Sequence, residues 1–488
     1  MKRLAALLIA WPLGSLAQGP SEARLLLGGN HPDPSILRDG EDYYLTHSSF
    51  EYQPGLLIWH SRDLRNWQPV THALRHFDTT VWAPELIRHE GRYFVYFPGV
   101  QEGKFANWVV WADDIRGPWS EPKALGVGKI DPGHVVDDKG RRYLHLSGGH
   151  VVDLSPDGLT AVGKPREVHE GWPIPPDWAV ECFCLESPKL TRRDGWYHLT
   201  AAQGGTFGPS TSHMMTSFRS RTPVGPWEMS PYNPVIRTWS RQEAWWSKGH
   251  GTLVEAPGGQ WFAVLHGIRN GFRSAGRSTL IEPVEWTEDG WYRVVEAWPE
   301  GWEKFTADLS LSDEFDGGEL GLQWQFFRKR DPARFTLADG VLKLRGFGET
   351  AGKSHPLTVI PRDLAYEIET EVEVGAGAKA GLMLFVGERE FIGLSLDAEG
   401  RIRREQEGYQ RYGRTDEPRI EGSRAAFRIV NDQQDVRFYL REGDGWRLLG
   451  PSMEISQNGI VRPALFAHGD GEATFFHFRY RTLPANPR

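Results

Sequence analysis

Short apolar segments, each carrying one acid or histidine, recur along the first 300 or so residues. Each is followed by a glycine and an aromatic-rich run. The runs open as Gly40-Glu41-Asp42-Tyr43-Tyr44, Gly91-Arg92-Tyr93-Phe94, Gly140-Arg141-Arg142-Tyr143, Gly195-Trp196-Tyr197 and Gly259-Gln260-Trp261-Phe262. A period near 50 residues, filled with strands and turns, predicts a propeller of four-stranded blades. A turn followed by tryptophan marks blade ends at Arg65-Asn66-Trp67, Gly117-Pro118-Trp119, Gly225-Pro226-Trp227 and Gly290-Trp291, where Gly and Pro punctuate loops. No helical periodicity is sustained. The pattern predicts a five-bladed β-propeller over residues 25–302.

The texture changes after Trp302. Leu364, Tyr366, Ile368, Thr370, Val372 and Val374 alternate with Ala365, Glu367, Glu369, Glu371 and Glu373, the signature of an antiparallel strand with one wet face. Similar runs surround residues 382–386, 391–396, 427–430, 436–440 and 474–480, and they predict a β-sandwich over residues 310–486. The expected fold class is all-β, a five-bladed β-propeller followed by a β-sandwich.

The polar residues upstream of the five glycines are Asp33, Glu85, Asp131, Glu186 and His250. If each lies on the innermost strand of its blade, all five converge on one axis. Asp33, Asp131 and Glu186 each have a proline within two residues on the C-terminal side (Pro34, Pro132 and Pro188), which restricts the local backbone. Three acids at equivalent positions of a repeat are poorly explained as solvated surface. Glycoside hydrolysis needs two carboxyl groups in opposite protonation states, and a third acid nearby raises the pKa of the donor.

Composition narrows the partners. The formal net charge of −8 is spread along the chain without a basic run, which argues against nucleic acid or anionic lipid. Lys2 and Arg3, the apolar stretch from Leu4 to Leu13, and Ser15-Leu16-Ala17 before Gln18 read as a signal peptide over residues 1–17. Export to the periplasm or beyond is expected. No other segment has about 18 uninterrupted apolar residues, so no membrane span is expected. Cys182 and Cys184 are the two cysteines. In a regular strand they would sit about 6.6 Å apart with parallel side chains. That geometry disfavours a disulfide between them, so free buried thiols are expected, on the same face as Glu186. Two cysteines without spaced histidines do not make a metal site.

The segments His31-Pro32-Asp33-Pro34-Ser35, Trp82-Ala83-Pro84-Glu85, Ile130-Asp131-Pro132-Gly133, Leu185-Glu186-Ser187-Pro188, Gly249-His250-Gly251-Thr252-Leu253 and Gly276-Arg277-Ser278 resemble those of glycoside hydrolase family 43, over about residues 28–290. The resemblance implies an inverting mechanism with Asp33 as general base, Glu186 as general acid and Asp131 as the acid that tunes and orients the donor. It implies that Phe50 and Trp82 wall the terminal-sugar subsite, that Arg277 lies near the sugar, and that His250 stands at the propeller centre, where many members bring it to substrate or to a calcium ion. No cofactor is required by such a reaction; a structural calcium beside His250 is the metal the resemblance allows. Glu85 is an additional carboxylate that either binds a sugar hydroxyl or anchors a loop. Ser187 stands where many members have glycine, and Phe207 to Pro209 are expected at the pocket rim. The appended sandwich resembles that of exo-acting xylosidases of the family. The expected activity is exo-hydrolysis of terminal β-D-xylosyl or α-L-arabinofuranosyl residues from an oligo- or polysaccharide. An exo-galactosidase, an endo-arabinanase or a non-catalytic carbohydrate-binding protein are the alternatives, and the oligomeric state is left open.

Overall fold

The computed structural model describes residues 22–77, 79–295, 297–409, 416–455 and 459–484. The expected signal segment, residues 1–17, lies outside them. The N-terminal half is a five-bladed propeller. Blade 1 comprises Ser35–Asp39, Asp42–Thr46, Gly55–Ser61 and Asn66–Leu74. Blade 2 comprises Glu85–His89, Arg92–Gln101, Lys104–Ala112 and Lys123–Ala124. Blade 3 runs Gly133–Val136, Arg142–Leu146, His150–Leu154 and Ala161–Glu167, and blade 4 runs Glu186–Arg193, Trp196–Gln203, Met214–Ser220 and Glu228–Met229. Blade 5 holds Trp245–Glu255, Trp261–Arg269 and Arg277–Trp286, and the N-terminal strand Arg24–Leu27 supplies its next position, with Arg24 opposite Ile281. The ring is therefore closed by main-chain hydrogen bonds between its two ends, which leaves no free edge at the seam.

The repeated glycines sit in the turn between the first and second strands of each blade, all with positive φ (64° to 86°). A side chain at those angles would be strained, so the repeat in the sequence is a repeat of one hairpin geometry. The aromatic run after each glycine is the second strand, and its large side chains fill the space between blades. Trp59, Trp67, Phe262 and Ile281 pack between blades 1 and 5; Tyr96, Val109, Leu144 and Val152 pack between blades 2 and 3.

The C-terminal half is a sandwich of an eight-stranded and a seven-stranded antiparallel sheet. Its core is one cluster that includes Trp324, Ile368, Leu382, Phe427 and Phe475. The expected alternation holds along Ala365–Val374 with two differences on the wet face: Ala365 is buried, and so is Glu369, which Arg428 reaches at 2.9 Å across the sheet. The two halves share a sheet. Tyr52–Gln53, from the first blade's hairpin region, pairs with Gln325–Phe327 and forms the last strand of the seven-stranded sheet. Between the halves, Thr306–Ala307 runs parallel to Asn66–Trp67.

Candidate active site

The propeller axis gathers the side chains singled out by the repeat, but not all from within strands. Asp33 and Asp131 lie two residues before the innermost strands of blades 1 and 3. Glu186 and Glu85 are the first residues of theirs, and His250 sits inside the bulged strand Trp245–Glu255. Asp33 and Asp131 both have φ of 57°, and His250 has 53°. The left-handed region is disfavoured for L-residues, though least for Asp and Asn. Each aspartate is thus presented by a tight turn at the mouth of its strand, a place where strain is held by surrounding structure.

Asp33 is ringed by polar groups, and its N–H donates to His266 Nδ1 at 3.1 Å. Its Oδ1 lies 2.7 Å from Arg277 Nη1, 3.1 Å from His266 Nδ1 and 3.5 Å from His250 Nδ1, while its Oδ2 accepts from Ser48 Oγ at 2.6 Å. Burial by itself would raise the Asp33 pKa. The Arg277 cation, with His250 and His266, outweighs that burial and holds the carboxyl well below the usual range. Asp33 is therefore an ionised carboxylate.

Asp131 and Glu186 are displaced the other way. His250 Nδ1 is 3.9 Å from Asp131 Oδ2, and ligand atoms of Asp131, Glu186 and His250 lie within 4.8 Å of one another. Asp131 is raised by burial and then by the charge of Asp33, against the pull of Lys189 and of the Ser187 N–H that donates to its Oδ2 at 3.0 Å. Glu186 is raised well above its ordinary value by burial, then by Asp131 and Asp33. One hub thus carries a carboxyl group displaced toward the ionised form and others displaced toward the acid form, the separation of protonation states that acid–base chemistry needs.

The wall residues are built on the same side. Phe50 and Val81 exchange backbone hydrogen bonds at 2.8 and 3.1 Å, which sets Phe50 beside the chain that carries Trp82. Trp82 is half-buried, 5.7 Å from the Phe105 ring. Arg277, 7% exposed, lies 5.8 Å from the Phe50 ring and 5.4 Å from the Phe207 ring. The sandwich reinforces this wall: Phe50 packs against a cluster of Tyr52, Phe327, Met383, Phe385 and Phe466.

Several expectations need correction. Glu85, placed among substrate-binding residues by sequence, has both oxygens occupied within the protein. Ser35 Oγ and Lys189 Nζ reach its Oε2 at 3.1 and 2.7 Å, and His134 N–H reaches Oε1 at 3.2 Å. That is the loop-anchoring alternative. His250, by contrast, stands at the centre as expected, 2% exposed and 3.5 and 3.9 Å from the carboxylates of Asp33 and Asp131. Cys182 and Cys184 are joined as a disulfide with Cα atoms 5.3 Å apart. The free-thiol expectation assumed a regular strand, but residues 180–185 are irregular and Cys184 has φ of 40°, which turns the two side chains toward each other.

Sequence reasoning also missed contributors. Lys189 is 1% exposed, and its ammonium donates to Pro84 O, Glu85 Oε2 and Pro132 O. His266, fully buried, contacts Asp33. A histidine within the apolar run Trp261–Ile268 and a lysine after Pro188 were the available signals. For calcium, the side chains within mutual reach are Asp33, His250 and His266, or Asp131, Glu186 and His250. Calcium takes about six to eight oxygen ligands. The described residues of these two groups supply two imidazoles and three carboxyl groups, of which Asp33 is engaged by Arg277 and Ser48 and Asp131 by Ser187. They do not form an oxygen cage for that ion.

Comparison with known proteins agrees with this geometry. The profile of Glycosyl hydrolases family 43 matches residues 24–292, and that of the Beta xylosidase C-terminal Concanavalin A-like domain matches residues 312–480. The chain is 35% identical over 308 residues to a xylan 1,3-beta-xylosidase of Vibrio sp, covering 54% of this chain and 56% of that protein. It is 32% identical over 362 residues to a non-reducing end alpha-L-arabinofuranosidase of Bacteroides ovatus, covering 68% and 66%. These matches span roughly half to two thirds of each relative. A xylosidase/arabinosidase of Humicola insolens is matched over 90% of both chains at 28% identity. Among solved structures, a family 43 protein of Bacillus licheniformis superposes with a TM-score of 0.83 at 27% identity, over 95% of this chain and 100% of that one.

Proposed function

Since the chain belongs to glycosyl hydrolase family 43, we propose that it is an exported, inverting exo-glycosidase that removes terminal pentose residues, β-D-xylosyl or α-L-arabinofuranosyl, from oligo- or polysaccharides. The observation that carries this reading is the pairing at one hub of Asp33, held ionised by Arg277, with Glu186, held protonated by burial and by Asp131.

The chemistry follows from those states. Glu186 gives its proton to the glycosidic oxygen as the bond to the anomeric carbon breaks. A water on the opposite face of the ring attacks that carbon and passes its proton to Asp33. Asp131 does not exchange a proton with substrate; its proximity keeps Glu186 protonated in the resting enzyme. Arg277 and Ser48 fix the rotation of the Asp33 carboxylate, so the base is set before the water arrives. No step is assigned to a metal.

Exo action is supported by the sandwich, whose Gly459 and Ile460 line a cavity together with Arg277; an endo enzyme needs a cleft open at both ends. The pentose is supported by the xylosidase and arabinofuranosidase names of the relatives. Export is supported by the Cys182–Cys184 disulfide, which suits an oxidising compartment. The test is a panel of aryl pentosides and hexosides, with the first-formed product anomer followed by NMR. Inverted pentose is expected. Retained configuration, or turnover of hexosides alone, would overturn the reading. Asp33→Asn is expected to lower kcat by about 10²- to 10⁴-fold with substrate still bound.

A further inference from the structure

The connection between the second and third strands of blade 4 presents an aromatic side chain to solvent. Phe207 is 61% exposed, the most of any large hydrophobic side chain among the described residues. Leaving such a ring in water forgoes the free energy of burying it. The backbone that carries it is nevertheless held by two charged groups. Glu181 Oε2 accepts the N–H groups of Phe207 and Gly208 at 2.8 and 2.9 Å. From the other side, the Arg273 guanidinium donates to the carbonyls of Phe207 and Gly208 at 3.5 and 3.0 Å. Glu181 comes close because residue 208 is glycine: a Cβ there would lie 2.5 Å from the Glu181 Cβ. Four side-chain hydrogen bonds onto two adjacent peptide units hold the backbone that carries the ring in one place.

That place adjoins the hub. The Phe207 ring lies 5.4 Å from the Arg277 guanidinium that holds Asp33. Between Phe207, Arg273 and Arg277 on the propeller and Gly459 and Ile460 on the sandwich lies a cavity of about 470 Å³. The sandwich is fastened at this edge, with Val461 N–H donating to Ser274 O at 2.9 Å and Gln434 Nε2 to Gly271 O at 3.0 Å. The clamp is also tied to the acid. Glu181 directly precedes the Cys182–Cys184 disulfide, and Glu186 follows it two residues later. One short, cross-linked segment sets both the platform and the proton donor.

We propose that Phe207 is the leaving-group-recognising residue of this enzyme. Its ring stacks on the C–H face of the sugar that follows the scissile bond, in the cavity beside Arg273, and Glu181 is the residue that positions it. Aromatic faces suit this ligand because a sugar ring presents apolar C–H surface between its hydroxyls. The inference rests on the hydrolase reading above, and the experiment separates the two.

β-D-Xylosyl fluoride has a one-atom leaving group, whereas β-1,4-xylobiose has a full ring; α-L-arabinofuranosyl azide and α-1,5-arabinobiose form the matching pair for arabinose. The quantity read is the ratio of kcat/KM on the disaccharide to kcat/KM on the small-leaving-group substrate. Phe207→Ala is expected to lower that ratio about 10- to 100-fold, the discrimination one apolar contact supplies. Phe207→Trp is expected to restore it, and Glu181→Gln to lower it part of the way. A ratio within twofold of wild type in Phe207→Ala overturns the assignment, as does failure of Phe207→Trp to recover it. If the wild-type enzyme turns over neither member of either pair, the hydrolase reading itself fails, and the subsite with it.

Discussion

Lys189 Nζ lies 2.7 Å from Glu85 Oε2, and both residues are buried. The other two ammonium contacts are Pro84 O and Pro132 O. One cation therefore ties blade 4, where Lys189 stands three residues beyond Glu186, to the entrances of blades 2 and 3, where Pro132 follows Asp131. The spacing between the two raised carboxyl groups is held by a pair that does not itself face substrate.

Breaking a buried pair is costly because one charge is left without a partner, while replacing both partners by apolar groups is often close to neutral. Lys189→Met is expected to lower unfolding stability by about 3–5 kcal/mol, measured by urea denaturation. Lys189→Met combined with Glu85→Leu is expected to recover most of that loss without restoring full activity. A double variant as unstable as the single one would show that charge compensation is not what Lys189 provides.

Glu186 works against the fold at neutral pH. Its carboxyl is raised well above the unfolded value of 4.5, so the folded state binds the proton more tightly than the unfolded state. The group's contribution to stability is fully present below pH 4.5 and is lost as pH rises toward the folded pKa. Glu186→Gln, which cannot ionise, is expected to raise the melting temperature relative to wild type. That difference should grow as the pH is taken above 4.5. With Glu186 as the proposed acid, the alkaline limb of activity is expected to follow its deprotonation. The variant is expected to lose far more rate on disaccharides than on activated aryl glycosides, which need little protonation of the leaving group; equal losses on both would remove Glu186 from the acid role.

Arg277 is expected to set the opposite limb. Its charge is the largest of the influences that hold the Asp33 carboxyl down. Arg277→Met removes that charge, so the Asp33 pKa rises and the base becomes protonated at higher pH. The acid limb of the kcat/KM profile is expected to move upward in pH while the alkaline limb stays with Glu186. A profile scaled down without displacement would mean that Arg277 contributes contacts alone.

Arg462 joins the sandwich to the chain that carries Phe50. Its guanidinium stacks 3.4 Å from the Tyr52 ring and donates to Gln325 Oε1 at 2.8 Å, and Gln325 in turn donates to Pro54 O. Phe50 stands two residues before Tyr52. Arg462→Ala is expected to loosen that wall and raise KM about 10-fold, with a smaller change in kcat. An unchanged KM would limit the sandwich to stability.

The repeat made the propeller legible because each glycine marks the same left-handed turn, and each aromatic run after it is the same second strand. The three acids were legible because each stands at the entrance of its blade's innermost strand, Asp33 and Asp131 in the same turn two residues before it and Glu186 at its first residue. The disulfide was not, because strand geometry was assumed across Cys182 and Cys184 where the chain bends. Glu85 was misplaced because position in the repeat tells which blade entrance a side chain occupies, but not whether a lysine from another blade arrives there first.

The order of strands, the closure into a ring and the convergence of Asp33, Asp131 and Glu186 were written in the sequence, because a repeated local geometry propagates to a symmetric whole. Which of those carboxyl groups keeps its proton was decided only in three dimensions. The pKa of a buried acid depends on burial and on charges a few ångströms away, and Arg277, His266 and Lys189 reach their places from parts of the chain no spacing rule connects to it. The sandwich's grip on Phe50 is of the same kind, a contact between residues hundreds of positions apart.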